Sequence, residues 1–143
     1  MYCSVAVVTT TRNTVLVLRR QKGRDVGLYE CPGGHVDPDE DAVTAVIREL
    51  EEESGIKGIQ RGQCQMFNTM YDPSQDGVNK YVVSCFHIQL GSVTPKITLE
   101  HMFDDYAWYD LNNPQPDIEL TADCQRLMNI FRQVVMLENV AVG

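Results

Sequence analysis

The sequence has no long apolar run. Nothing in it approaches the ~20 consecutive residues needed to span a bilayer, so no membrane partner is expected. It is also short of base: 12 Lys and Arg stand against 20 Asp and Glu, for a net charge of −8. A sequence-independent nucleic-acid binder needs clustered Lys and Arg to neutralise phosphate, so a nucleic acid polymer is not the expected partner. An anionic substrate must instead arrive with its own cation. The five cysteines (Cys3, Cys31, Cys64, Cys85, Cys124) are odd in number and scattered, with no C-x-x-C pair. That argues against a zinc site or a disulfide framework and for buried free thiols in a reducing cytoplasm. The opening Met-Tyr-Cys-Ser-Val-Ala-Val-Val has no basic flank and reads as a buried strand, so no signal peptide is expected and the location is read as cytoplasmic. Repeats, linkers and low-complexity segments are missing too, and 143 residues that are 43% hydrophobic and 22% charged read as one domain, 1–143, able to bury a core.

What is present is a concentration of acid. Between Asp37 and Glu53 lie eight acids and one base, a local balance of −7 that leaves the rest of the chain close to neutral. Residues 42 to 54 read as a helix, because Val43, Val46, Ile47 and Leu50 recur at three- and four-residue steps beside Ala42 and Ala45, with Gly55 as the stop. On that helix Glu49, Glu52 and Glu53 share an arc of about 100°. A solvated helix face is the ordinary meaning of such a run. Two penalties count against it here. Like charges at these spacings cost a few tenths of a kcal/mol per pair, and acids in the last turn face the negative end of the helix dipole at about 0.3–1 kcal/mol each. A divalent cation reverses the sign of both, since carboxylates on adjacent turns can converge on a hard ion that prefers oxygen. Asp37, Asp39 and Asp41 read as loop and cap residues at the positive end of the dipole. Their spacing lacks the central Gly and final Glu of an EF-hand.

The same residues form a longer pattern: Gly34, five residues, Glu40, seven residues, then Arg48-Glu49-Leu50-x-Glu52-Glu53-x-Gly55-Ile56. Nine fixed positions over 23 residues resemble the Nudix box at every one of them. The resemblance implies a Nudix hydrolase, an α/β protein with a mixed β-sheet between helices in an α/β/α sandwich. It implies Mg²⁺, with Mn²⁺ as a substitute, held by Glu49, Glu52, Glu53 and the Gly33 carbonyl. Arg48 would orient the carboxylates, Glu40 would support the site, and Glu49 would serve as the base, with Glu100 in the later loop as the alternative.

The remaining chain is read around this box. Residues 3–9 and 14–20 read as two strands joined by a tight turn. The second ends in a basic cluster of Arg19, Arg20, Lys22 and Arg24, and the resemblance places Arg20 first and Arg19 second against substrate phosphates, with Gly34 beside them. Gly27 to Gly34 reads as a short strand running into a tight loop at Gly33-Gly34. Strands are expected over 59–71 and 80–90, with a turn-rich loop from Tyr71 to Gly77 between them. His87, inside the second, has no assigned role. Glu100 to Leu111 resembles the family segment in which an acidic loop precedes an aromatic strand. Glu100 is the candidate acid there, Asp104 the alternative, and His101 reads as exposed. The stretch from Asp117 to Glu138 carries apolar residues at helical spacing after Pro114 and Pro116 and reads as a packing helix.

The reaction implied is attack of water on a phosphorus of a nucleoside diphosphate linked to another group. Among its forms, a MutT-like nucleoside triphosphate pyrophosphohydrolase, acting on unmodified or oxidised triphosphates, fits a chain of this size. The alternative is an ADP-ribose or nucleotide-sugar pyrophosphatase, with Pro73 near the position where a proline marks many such enzymes. A nucleotide-binding module without turnover is the third reading. The expected partner is a small nucleotide, and the chain is expected as a monomer or homodimer.

Overall fold

The computed structural model describes residues 1–11, 13–73 and 80–136. In chain order the elements are β1 (Tyr2–Thr11), β2 (Thr14–Arg20), β3 (Tyr29–Glu30), β4 (Gly33–His35), α1 (Ala42–Ser54), β5 (Cys64–Pro73), β6 (Lys80–Gln89), β7 (Phe103–Asp110) and α2 (Ala122–Phe131), the last followed by a π-helical turn, Arg132–Met136. All seven strands join one mixed sheet: β1 runs parallel to β6, and the other pairings are antiparallel. The two helices lie on opposite faces, which gives the α/β/α sandwich.

Alternation in the central strands sorts the core. Ala6, Val8, Leu16, Leu18, Phe86 and Ile88 face α1 and meet Val46, Leu50 and Ile56. The interleaved Val7, Val15, Val17 and Cys85 face α2 and meet Cys124, Leu127 and Phe131. A strand covered on both faces has no solvent side, which is why β1 and β2 read as nearly unbroken apolar runs. His87 lies on the α2 face, its Nε2 2.9 Å from Thr9 Oγ1 and its ring 5.0 Å from that of Phe131.

The helix α1 has the bounds its periodicity implies. Asp41 caps it by accepting from Thr44 N–H at 2.9 Å, and Gly55 ends it in the left-handed conformation at φ +78°, its N–H donating to the Glu51 carbonyl. Three expectations shift. The Gln60–Gln63 segment forms a one-turn 3₁₀ helix capped reciprocally by its two glutamines, so β5 starts at Cys64. Tyr71, Asp72 and Pro73 continue β5 and are not loop, while residues 74–79 lie outside the described residues. The C-terminal helix starts at Ala122, capped by Thr121, because Glu119 and Thr121 are tied by backbone hydrogen bonds to Tyr29 in β3; residues 137 and 138 lie outside the described residues.

The sheet is splayed where the site will form. The start of β2 pairs with β1, but its end pairs with β3, while the start of β1 pairs with β4. The chain from Tyr29 to His35 therefore fills the gap between two diverging strands, pinned where Ala6 N–H donates to the Pro32 carbonyl at 2.9 Å. Among the described residues no helix is long and apolar enough to cross a membrane.

Leu50 is fully buried between α1 and the sheet. Leu50→Ala is expected to cost about 2–5 kcal/mol in urea unfolding, whereas Glu51→Ala, one residue along on the exposed side, stays within about 0.5 kcal/mol. Equal losses from the two would contradict the packing of α1 against the sheet through its Leu50 face.

Candidate active site

The carboxylates of α1 converge on β4. Glu53, in the last turn, is 9% exposed, and the Gly33 N–H donates to its Oε1 at 2.8 Å. Desolvation raises its pKa to about 9 despite that hydrogen bond, and the nearby charges of Glu49, Glu30 and Glu100 push in the same direction. Glu49, half-buried one turn earlier, is also raised. Desolvation is the main cause, opposed by Arg48 and reinforced by Glu52 and Glu100.

Neither Gly33 nor Gly34 adopts positive φ, so the loop expected there is a short strand and the glycines serve another purpose. A Cβ on Gly33 would overlap the Ser4 carbonyl and lie 2.9 Å from Val5 Cα. One on Gly34 would lie 2.6 Å from Glu49 Cδ and Oε1. The backbone passes so close to β1 on one side and to the Glu49 carboxylate on the other that no side chain fits.

Arg48 is the hub of the acidic cluster. It donates to Glu40 through Nη2 at 2.6 Å and Nε at 3.2 Å, to Glu49 Oε1 at 3.0 Å, to Glu52 Oε2 at 3.3 Å and to the His35 carbonyl at 3.0 Å. Glu40 in turn accepts from Asp37 N–H at 2.9 Å, and its pKa is lowered, first by the hydrogen bonds from Arg48. One guanidinium thus fixes the loop before the helix and two of the three box carboxylates.

The later loop comes to the same place. Glu100 N–H donates to the Glu53 carbonyl at 3.3 Å and Thr98 N–H to that of Ser54, so residues 98–100 run along the end of α1. Asp104, the alternative acid, is paired with Arg19 at 2.7 Å on the exposed surface. His101 is exposed. Arg20 donates to Glu30 Oε1 at 2.8 Å and to the carbonyls of Arg24 and Lys22.

Sequence reasoning passes over Glu30. It is half-buried, its pKa is raised chiefly by desolvation against the pull of Arg20, and it lines a cavity of about 260 Å³ on the α2 side of the sheet. Gly33 and Gly34 line the same cavity, together with Cys31, Thr121, Asp123 and Cys124. The only signal in the sequence is an acid inside the short Tyr-Glu-Cys-Pro stretch just ahead of the glycine pair.

These donors fit a hard divalent cation. Among the described residues no three acids, thiols or imidazoles are yet gathered tightly enough to surround one. Arg48 supplies the counter-charge for Glu49 and Glu52, while Glu53 answers its burial with a raised pKa. A cation beside Glu53 would restore its charged form, and the all-oxygen donor set suits Mg²⁺ or Mn²⁺.

Gly34→Ala displaces Glu49 and is expected to lower turnover by about 100-fold with an intact fold, whereas Gly33→Ala strikes β1 and lowers the melting temperature; circular dichroism beside an activity assay separates the two. For Glu53, the folded chain holds its proton more tightly than the unfolded chain. Its contribution to stability is therefore full below about pH 4.5 and is lost as pH rises through about 9. In chelator, Glu53→Gln is expected to unfold at higher urea than the parent at pH 8 and to lack this pH dependence. A parent chain with flat stability from pH 5 to 9 would contradict the assignment.

Comparison with known proteins agrees with the box. The NUDIX domain family matches residues 3–127. The chain is 43% identical to the "Putative 8-oxo-dGTP diphosphatase" of Bacillus subtilis (strain 168) over 51 residues, 36% of this chain and 32% of that protein. It is 34% identical to the m7GpppN-mRNA hydrolase NUDT17 of Bos taurus over 83 residues, 52% of this chain and 27% of that protein. The matches thus span about a third or less of these relatives' own length. The crystal structure of the MutT protein from Methanosarcina mazei Go1 superposes with a TM-score of 0.73 at 23% identity, covering 93% of each chain, which is a likeness of fold. With the box unbroken from Gly34 to Ile56 and the family match running from residue 3 to 127, the chain belongs to the NUDIX family.

Proposed function

We propose that the chain is a divalent-cation-dependent pyrophosphohydrolase that cleaves a nucleoside triphosphate to the monophosphate and pyrophosphate. The observation that carries this reading is the buried Glu53 carboxyl, within electrostatic reach of Glu49 and Glu100 and bonded to Gly33, which also lines a cavity of about 260 Å³. Phosphate chemistry belongs on the carboxylate side and a nucleoside in the cavity.

Hydrolysis of a phosphoanhydride needs charge neutralised on the phosphates, a water activated, and both held in line. Glu49, Glu52, Glu53 and the Gly33 carbonyl would hold Mg²⁺ or Mn²⁺, which when bound neutralises phosphate charge and acidifies water. Arg48 keeps Glu49 and Glu52 oriented through its hydrogen bonds to both. Glu49 is the base: burial raises its pKa and makes it a better proton acceptor than an exposed carboxylate. Glu100, docked on the end of α1, is the second acid within the electrostatic reach of Glu49 and Glu53. Arg20, at the end of β2 and bonded to Glu30 beside the cavity, is the first candidate to meet a phosphate. Arg19, the second candidate, is held by Asp104 as Arg20 is by Glu30, so either must leave an acid to reach a phosphate.

The cavity favours a base rich in N–H donors. When ionised, Glu30 and Asp123 offer acceptors and no donor, with Glu30 Oε1 taken by Arg20, and Thr121 Oγ1 accepts from Cys124 N–H, leaving its proton to donate. A purine with adjacent amino and ring N–H groups satisfies such acceptors. The relative named for 8-oxo-dGTP supports the same choice. Pro73 ends β5 opposite Lys80 in β6.

The test is Mg²⁺-dependent turnover of unmodified and oxidised dNTPs beside ADP-ribose, resolved by chromatography. Monophosphate plus pyrophosphate from a guanine triphosphate is the expected result, with Glu53→Gln slower by on the order of 100-fold or more. Cleavage of ADP-ribose alone would transfer the chain to the sugar-nucleotide class, and binding without turnover would make it a sensing module.

A further inference from the structure

The three thiols of the cavity have no part in the hydrolysis, yet two of them touch. Cys31 Sγ and Cys124 Sγ lie 3.8 Å apart, both buried, and are separated by 93 positions in the chain. Cys31 sits in the link between β3 and β4, outside any ladder, and Cys124 sits in the first turn of α2, where its N–H bonds to the Thr121 side chain. Both are therefore at element ends, where the backbone can yield the roughly 2 Å needed to reach disulfide length.

We propose that Cys31 and Cys124 form a latent disulfide, made by a hydroperoxide, that draws the start of α2 onto the β3–β4 link and closes the cavity. The cavity is wide enough for hydrogen peroxide, and Asp123 at its rim is exposed. One sulfur, as thiolate, attacks a peroxide oxygen; the O–O bond breaks, a sulfenic acid forms and the first water leaves. The other sulfur, as thiolate, attacks that sulfur; the S–O bond breaks, and the departing hydroxide takes up a proton as the second water. Two thiols are oxidised by two electrons in all, and one peroxide is reduced to two waters. Cys3 lines the same cavity, half-buried, with its Sγ 3.6 Å from His35 Nδ1, and is the thiol that must be told apart from the pair.

The effect on turnover rests on the hydrolase reading above; the bond itself does not. The reduced chain is treated with hydrogen peroxide, alkylated without reductant, and mapped by proteolysis and mass spectrometry. A peptide linking Cys31 to Cys124 is expected, lighter by two hydrogens and reversed by dithiothreitol. The linked chain should melt about 5 °C or more above the reduced one, because the bond closes a long loop. Triphosphate turnover should fall at least about tenfold with formation of the link and return with dithiothreitol. Cys124→Ser should lose this peroxide sensitivity relative to its own untreated rate, while Cys3→Ser retains it. A link involving Cys3, or oxidation of Cys31 to sulfinic acid with no link, overturns the proposal in a measurement that needs neither substrate nor variant. A correct link with unchanged turnover overturns the closure. If the reduced chain hydrolyses no triphosphate, the hydrolase reading fails while the peptide map and the melting shift still decide the bond.

Discussion

A carboxyl group buried at the wrong end of a helix is the constraint around which this structure is arranged. Glu53 sits in the last turn of α1, where the dipole is unfavourable to negative charge, beside two further acids of its own helix and under the incoming Glu100. Nothing about folding alone rewards such a placement. The molecule tolerates it through one backbone N–H, from Gly33, and through protonation. Around it, Arg48 does for Glu49 and Glu52 what proton uptake does for Glu53, and it simultaneously fastens Glu40 and the His35 carbonyl, so the loop leading into the helix is held by the same charge that holds the site. The site is thus strained by charge, and its natural complement is a cation.

The splayed sheet is what brings backbone to that carboxyl. If β1 and β2 paired along their full lengths, there would be no gap for the Tyr29–His35 segment and no N–H to offer Glu53. Their divergence creates two short pairings, β2 with β3 and β1 with β4, and the link between them carries Cys31 into the α2-side core and Gly33 and Gly34 against Glu53 and Glu49 of α1. A single crossing segment thereby supplies parts both to the polar site and to the cavity, which meet at Gly33.

Much of this is legible in the sequence, and the reasons differ by element. The bounds of α1 follow from Val43, Val46, Ile47 and Leu50, with Gly55 as the stop, because an amphipathic helix announces its period and its end. The box residues are found by their spacing. The glycine pair stands out too, but for a reason the sequence does not carry: freedom of φ is a local property that sequence suggests, whereas the approach of Ser4 and Glu49 to within a methyl group's width is tertiary. Glu30 and the cavity escape notice for the same cause. An acid in a two-residue strand has no period to betray which face it serves, and Asp123 and Thr121 reach it from the far end of the chain. The start of β5 is displaced because Gln60 and Gln63 close a capped turn that apolar content alone does not reveal.

The backbone bonds between Tyr29 and residues 119–121 make the entry to α2 a guest strand on β3. The wall of the cavity is therefore completed by a segment synthesised long after every box acid has left the ribosome. A chain ending before that segment would carry every box acid but lack Thr121, Asp123, Cys124 and Leu127, which close one side of the cavity. On the proposed function, the wall that would meet the nucleoside is the last part of the site to be completed as the chain grows.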